Sequence, residues 1–443
     1  MGLPRFLILG FGRSGRSAWE ALRDQAEEIW IYEERDLTLP LGAQRWTEHS
    51  SLDLSTVEAI LSPGISAHHP LVQRIRRAGG RVSSESEWGL QRLLPGPRCG
   101  ITGTNGKTTT TELTAWMLNQ TGIAAIPCGN NGVPLSSMAL ESGQQTLVIE
   151  LSSYQLEEMS QPCLQHAAFL NLTPDHLDRH GSMEGYAKAK GRILELLLPE
   201  GRLLVDHSLM PQYPQWQGDE RIEIMGVTLK WEGRRLISHG EEVAVAPESL
   251  LALPRHDWQN GLAAAWLATR NGLSWEQALQ GWASYRKGPH RCEVVAERGG
   301  VRYVNDSKGT NLDATLQAMQ SFPAGQILIA GGVHKGASYE MWRPCIQERV
   351  RYVLAIGQAA AQIAAELSDC CPVEVLQDLQ HAVWRSWELA QRGETVLLSP
   401  GCSSLDQFRD YQHRGECFQQ YVLQLPLTSD NVKAVGYTPI FDP

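Results

Sequence analysis

Three successive α/β units, each a mostly parallel sheet covered by helices, are what this chain of 443 residues predicts. Length is the first reason, because a single hydrophobic core stops growing well below that size. The second is alternation: short apolar runs of strand length alternate with longer helical stretches, the pattern of parallel strands joined by crossover helices. The third is that two of those strands lead into glycine-rich turns that open helices, Gly10-Phe-Gly12-Arg-Ser-Gly15 and Gly103-Thr-Asn-Gly106-Lys-Thr108.

The first unit, residues 1–95, places strands at Phe6–Leu9, Glu28–Tyr32 and Ala59–Leu61, with helices at Ser14–Asp24 and Leu71–Ala78. Leu94-Pro-Gly-Pro-Arg98 reads as a linker. The second unit, residues 96–287, opens with a strand at Cys99–Thr102 and a helix at Thr108–Gln120. It continues through an apolar run at Ala167–Leu172 and a helix over Met183–Leu198. Between Asp206 and Pro254 short polar turns separate strand-like pieces, as in a small β insertion, and Arg286-Lys-Gly-Pro-His290 reads as a second linker. The third unit, residues 288–443, has strands at Val301–Asn305, Gln326–Ala330, Tyr352–Ile356 and Thr395–Ser399. Each ends in small or polar residues, where ligands gather in open parallel sheets. From about Leu427 the chain loses periodicity and reads as a loose tail.

Bulk properties exclude several classes. A formal charge of −10 argues against a nucleic-acid binder. No apolar run reaches the ~18 residues of a membrane span, so no membrane insertion is expected. The run Phe6–Gly10 is too short for a signal peptide, which places the protein in the cytoplasm. The nine cysteines are scattered without a C-x-x-C pair, as reduced thiols rather than a zinc cage.

Between a strand and a helix, Gly103–Thr108 has the context that makes a phosphate loop credible. Backbone N–H groups and the helix N-terminus suit a polyphosphate. Lys107 would neutralise its outer phosphates, and Thr108 would offer a hydroxyl to Mg2+. The spacing departs from the strict Walker pattern, since Ile101 stands where the earlier glycine would be. A tight turn before a helix is the bland alternative. Gly10–Gly15 with Glu33 and Glu34 about 20 residues on fits a dinucleotide fingerprint, in which an acid holds a ribose hydroxyl. It equally fits another nucleotide or a plain turn. The NAD reading defines a rival, an oxidoreductase carrying an ATPase module. A nucleotide sensor without catalysis is another.

Glu150 closes an apolar strand with a carboxylate, a common place for a Mg2+ ligand beside a phosphate loop. A surface or capping Glu is equally compatible. Thr173-Pro-Asp175-His176-Leu-Asp178 follows an apolar run and is also explained by a capped helix start. Lys190 is indistinguishable from Lys188 on composition. Asn305-Asp306-Ser-Lys308-Gly-Thr310 and Ser399-Pro-Gly-Cys-Ser-Ser404 follow strands of the third unit and are binding-loop candidates.

Together these segments resemble the Mur ligase family, which builds the peptide stem of peptidoglycan. The resemblance covers nearly the whole chain. Thr102–Thr108 is similar to the family's ATP loop. Glu150-Leu-Ser-Ser-Tyr-Gln155, Asn171–His176 and Asn305–Lys308 are similar to its later motifs. Ser399–Phe408 and the short first unit resemble the D-glutamate-adding member most. The resemblance implies a Rossmann-like first domain for the UDP end, a central P-loop ATPase domain with a parallel sheet, and a Rossmann-like C-terminal domain for the amino acid. It implies ATP, two Mg2+ ions, UDP-N-acetylmuramoyl-L-alanine and D-glutamate as ligands, and a monomer is expected. It further implies that Gly103, Thr104, Asn105, Gly106, Lys107, Thr108, Thr109, Asn260, Arg291 and Asp306 touch ATP. Thr108, Glu150, His176 and a carbamylated Lys190 would hold metal, with Lys107, His176 and Lys190 catalytic. Ser14, Arg35, Gly64, Asn130, Ser152 and Gln155 would meet the UDP substrate, and Thr310, Lys335, Ser404 and Tyr411 the D-glutamate. Two departures stand out: Asp257 where the family pattern has an amide, and Glu34 where a small polar residue is usual.

Overall fold

A computed structural model describes residues 4–66, 68–93, 95–130, 132–138, 145–251 and 253–426, the side chain of Asp178 excepted. The chain forms two compact units, Met1–Leu172 with Glu184–Tyr285, and Thr173–Met183 with Arg286–Pro443. The tail expected from Leu427 lies outside the described residues, as does Leu94 of the first linker.

The first unit contains two sheets. One consists of β1 (Arg5–Leu9), β2 (Glu28–Tyr32), β3 (Ala43–Arg45), β4 (Val57–Leu61) and β5 (Arg81–Ser84), all parallel in the order β3-β2-β1-β4-β5. Strand order reverses at β1, which puts the crevice for a ligand beyond its carboxyl end, at Gly10. Period-two alternation fills both faces: Phe6 and Ile8 enter one core, Leu7 and Leu9 the other. A parallel sheet covered on both sides needs such continuous apolar runs.

The other sheet has nine strands: β6 (Arg98–Thr102), β7 (Ala125–Gly129), β8 (Thr146–Glu150), β9 (Leu164–Phe169), β10 (Leu197–Asp206), β11 (Ile222–Met225), β12 (Leu229–Glu232), β13 (Arg235–Ser238) and β14 (Glu241–Val245). Their order is β14-β13-β12-β11-β10-β9-β6-β8-β7, with only the β12–β13–β14 meander antiparallel. The insertion expected over Asp206–Pro254 thus extends the central sheet rather than standing apart from it. The helix expected over Met183–Leu198 is a shorter one. It stops at Gly191, a 3-10 turn covers Arg192–Leu194, and Leu197 already belongs to β10. Gly191 packs under Tyr213, where a Cβ would lie 2.7 Å from Cε1. The leucine-rich run that follows is as compatible with a buried strand as with a helix, and pairing with β9 decides it.

The second unit is built on β15 (Glu293–Arg298), β16 (Val301–Asn305), β17 (Gln326–Gly331), β18 (Val350–Ile356), β19 (Val373–Val375) and β20 (Thr395–Leu398), in the order β15-β16-β20-β17-β18-β19. Only β15 runs antiparallel to its neighbour. Ile327 and Ile329 face one core and Leu328 and Ala330 the other. The three strands β16, β20 and β17 lie side by side, so their following loops share one edge.

Close helix packing behind the nine-stranded sheet uses a glycine. On the helix Arg255–Arg270, a Cβ at Gly261 would lie 1.9 Å from Trp282 Cζ2 of the helix Trp275–Ser284. Overpacking of this kind costs about 1–3 kcal/mol. Gly261→Ala is therefore expected to lower the thermal midpoint, measured by calorimetry, and an unchanged midpoint would show that the two helices separate at little cost.

Candidate functional site

The phosphate loop bridges β6 and the helix Lys107–Gln120. Gly103 has φ +151° and Gly106 φ +82°, the latter serving as N-cap of the helix. Gly106 is required twice over: its backbone is left-handed, and a Cβ would lie 2.1 Å from Asn260 Oδ1. Asn260, buried on the helix Arg255–Arg270, therefore lies directly against the loop. Lys107 Nζ donates to the carbonyls of Gly103 at 2.9 Å and Thr104 at 2.7 Å. Thr104 Oγ1 is 3.2 Å from the Tyr186 hydroxyl, and Thr108 is buried in the first helical turn, next to Thr109.

Two further charged groups close on the same loop. Lys190, 1% exposed, donates Nζ to Gly103 O at 2.7 Å and lies over the Tyr186 ring. The structure thus distinguishes it from Lys188, which the sequence did not. Glu150 ends β8 opposite Ile101 of β6, and its Oε1 accepts from Asn130 Nδ2 at 2.9 Å. Its Oε2 is buried with no hydrogen-bond partner. A buried carboxylate oxygen left so is costly unless it meets a charge. Hard oxygen donors beside a phosphate loop suit Mg2+, and the residues fit that ion. Among the described residues no three His, Cys, Asp or Glu side chains gather into a metal site. Mg2+ here would therefore be shared with substrate oxygens, as is usual for this ion. Of the expected ligands, Thr108, Glu150 and Lys190 belong to the first unit and His176 to the second.

Beyond the end of β1 an open cleft of about 630 Å³ is lined by Gly10, Gly12, Ser14, Tyr32, Glu33, Glu34, Arg35, Gly64, His69 and Asn130, among others. Ser14, Arg35, Gly64 and Asn130, all expected at the UDP substrate, thus share one cavity. Glu33 does not offer the ribose-binding oxygens that the fingerprint suggested. Its Oε2 accepts from Phe11 N and Arg35 Nη2, and its Oε1 from Arg35 Nε and N. The Arg35 guanidinium is the main reason that its carboxyl is lowered to about 2. Ser152 and Gln155 are engaged with each other. Ser152 caps the helix Ser153–Glu158 and Gln155 completes the capping box. Gln155 also donates to Ser86 Oγ and is buried.

In the second unit Asp175 is a hub. It is placed by the segment Thr173–Met183 and accepts from Lys335 Nζ at 3.5 Å and Asn311 Nδ2 at 3.3 Å. His176 follows it with φ +53°, its N donating to Asp175 Oδ1 and its ring 3.5 Å from Oδ2. A left-handed histidine is strained, and such strain concentrates at functional sites. Asp306, buried after β16, accepts from Ser399 Oγ at 2.7 Å and Cys292 N at 3.2 Å. Burial raises its carboxyl to about 6 against these hydrogen bonds. Tyr411 accepts from Lys308 Nζ, Ser404 is buried beyond β20, Thr310 is half-buried after β16, and Arg291 precedes β15.

Three residues that carry this geometry escaped the sequence reading. Asn171 binds the phosphate loop through its side chain, Asp175 gathers Lys335 and Asn311, and His290, with φ +64°, pairs with Asn305 at 2.9 Å. Asn171 and Asp175 stand inside a motif already noted; nothing local marks His290.

Residues 101–233 match the Mur ligase middle domain and residues 290–402 the Mur ligase glutamate ligase domain. The chain belongs to the Mur ligase family. It is 36% identical to a UDP-N-acetylmuramoylalanine--D-glutamate ligase of Protochlamydia amoebophila, over 94% of this chain and 97% of that one. It is 35% identical to the enzyme of that name from Solibacter usitatus, with the same coverages. Solved structures share the fold at low identity. MurF from Acinetobacter baumannii has a TM-score of 0.63 at 16% identity, covering 95% of this chain and 90% of that one. UDP-N-acetylmuramate-alanine ligase MurC from Thermotoga maritima has 0.60 at 15%, covering 95% and 99%.

Asp306 gives a pH test. Its folded-state value of about 6 exceeds the ordinary carboxylate value, so between about pH 4 and 6 the folded state holds a proton that the unfolded chain has released. Stability from this group is therefore lost as pH rises through that window. Relative to Asp306→Asn, the wild-type midpoint should fall from pH 4 to pH 6 and then run parallel. A constant difference across the window would contradict the assignment.

Proposed function

We propose that this chain is an ATP-dependent amide-bond ligase that joins D-glutamate to UDP-N-acetylmuramoyl-L-alanine in cytoplasmic peptidoglycan precursor synthesis. The observation that carries the reading is the similarity, along nearly the full chain, to relatives named as D-glutamate ligases, on a fold whose phosphate loop is built for ATP. In this reading residues 1–95 take the UDP end, 96–287 the ATP, and 288–443 the amino acid, and the chain works as a monomer. No helix of the described residues is long and apolar enough to cross a membrane.

A carboxylate is a poor acyl donor because oxide would have to leave. An oxygen of the alanyl carboxylate attacks the γ-phosphorus of ATP, the bond to the β–γ bridging oxygen breaks, and ADP departs. The nitrogen of D-glutamate then attacks the acyl carbon. The C–O bond to phosphate breaks, and the ammonium proton is lost to solvent.

Anions must approach one another in the first step, so charge dominates it. Lys107 turns from the loop carbonyls to the β- and γ-phosphates, while Gly106 and Thr108 offer N–H groups at the helix start. Mg2+, when bound, would supply positive charge against the phosphates, and two ions are expected from the family. In the first unit Glu150 Oε2 and Thr108 Oγ1 would hold Mg2+, and in the second His176, next to Asp175, is the residue that could bind one. A carbamate on Lys190 would turn an ammonium that now donates to Gly103 O into a group able to accept a hard cation. In the first unit Asn260, against the loop, is the candidate nucleotide contact; Arg291 and Asp306 are the second unit's own candidates. Ser14, Arg35, Gly64 and Asn130 line the cleft proposed for the UDP substrate, and Ser152 and Gln155, joined in the capping box, are proposed to meet its sugar–alanine part. Thr310, Lys335, Ser404 and Tyr411 receive D-glutamate, Lys335 facing one of its carboxylates. Glu34, exposed at the cleft, and Asp257 are the two places where contacts would differ from the family pattern.

Phosphate release and product mass decide the reading. With Mg-ATP and UDP-N-acetylmuramoyl-L-alanine, D-glutamate should give phosphate and the matching mass gain, while L-glutamate and other amino acids should not. Release with another amino acid would move the specificity, and no release with any would overturn the function. Lys107→Ala should lower turnover by roughly 10²–10³, the scale of losing one oxyanion donor. Lys190→Ala should be inactive and partly rescued by a small carboxylate such as formate, and unaltered activity would exclude the carbamate.

A further inference from the structure

We propose that Asn171 is a positioning residue for the ATP site: its side chain takes up the amides of Thr104 and Asn105 in the phosphate loop and reserves the cradle for those that follow. This inference rests on the loop being the ATP site. Asn171 Oδ1 accepts from Thr104 N at 3.1 Å and Asn105 N at 2.9 Å, and Nδ2 donates to Asn105 O at 3.1 Å. Its own carbonyl also accepts from Thr104 N, at 3.0 Å. One side chain thus pairs with both the donor and the acceptor of Asn105, as a neighbouring strand would, although it lies 66 residues further along the chain. The fit to the same segment is close at Gly103 as well, where a Cβ would lie 3.1 Å from Leu170 Cβ and 3.4 Å from Asn171 N.

A side-chain amide accepts at one end and donates at the other, which neither a carboxylate nor an ammonium can do. An anion at a helix N-terminus is held by N–H groups that point at it. The amides of Thr104 and Asn105 are committed to Asn171, so recognition of the β- and γ-phosphates falls to the turn at Gly106, the first helical residues and Lys107. The clamp fixes the approach to that turn: without it the loop loses the register that brings Gly106 against Asn260. Aspartate in its place would keep the acceptor, lose the donor to Asn105 O and bring negative charge to a loop that receives phosphates.

The test is calorimetric titration of the full chain with Mg-ADP and, separately, AMP, which lacks the β-phosphate. Asn171→Ala should weaken Mg-ADP roughly tenfold and leave AMP within about twofold, as expected for the loss of a few net hydrogen bonds in the polyphosphate site. Asn171→Asp, which preserves the shape should the alanine variant not fold, should weaken Mg-ADP further. Equal weakening of both nucleotides, or no change in either, would overturn the proposal. Lys107→Ala, measured alongside, separates the two levels. If it weakens Mg-ADP while Asn171→Ala does not, the clamp alone is wrong. If Lys107→Ala leaves Mg-ADP unchanged, the loop is not the ATP site and both fall.

Discussion

The turn between β6 and the helix Lys107–Gln120 is the constraint on which the first unit's chemistry depends. It must reverse the chain within four residues, present N–H groups outward and leave no side chain in the way. Gly106 meets all three demands through a left-handed backbone and the absence of a Cβ that would strike Asn260. The parallel sheet supplies the frame, because β6 is flanked by β8 and β9 and its carboxyl end is where loops from all three converge. Glu150 arrives from β8, Asn171 from just beyond β9, and Lys190 from the helix Met183–Gly191. Each is delivered to the loop by an element whose position is fixed by buried apolar side chains.

Charge organises the rest. The loop gathers two lysine ammonium groups on its own carbonyls, and at the end of the adjacent strand β8 a carboxylate has one oxygen held by Asn130 and one with no partner. Such an arrangement is costly in a protein interior and is retained where a ligand completes it. Asn130 also lines the cleft beyond β1. The side chain that fixes Glu150 is thus one that the UDP substrate would meet. In the second unit the buried Asp306 is likewise held by hydrogen bonds from several segments, and the strained His176 by its neighbour Asp175, which is how a fold maintains groups in unfavourable states.

Legibility in the sequence followed chain distance. Strands and the phosphate loop were readable because apolar runs and a Gly-Lys-Thr turn are local signals. The short edge strands β3, β5 and β19 carry no apolar run of their own and are defined by their neighbours, so they were invisible. The stretch after Gly191 was read as helix because leucines alone do not fix a period. Glu33 fitted a ribose-binding acid by spacing, yet Arg35, two residues on, takes both of its oxygens. The Asn171 clamp joins residues too far apart for any local pattern to reveal. The packing of Thr173–Met183 with the second unit is also a tertiary fact. The family resemblance selected Lys190 over Lys188; the structure shows that Lys190 is buried and donates to Gly103 O, a contact made across 87 residues that no local pattern reveals.

In the proposed reaction ATP held at the loop activates a carboxylate by phosphorylating it. Its most direct test is isotope transfer from UDP-N-acetylmuramoyl-L-alanine carrying a heavy oxygen isotope in the alanyl carboxylate. During turnover with Mg-ATP and D-glutamate, one labelled oxygen should appear in each released phosphate, detected by mass spectrometry. Phosphate that carries no label would mean that the carboxylate never bonded to phosphorus, and the acyl-phosphate route would be wrong.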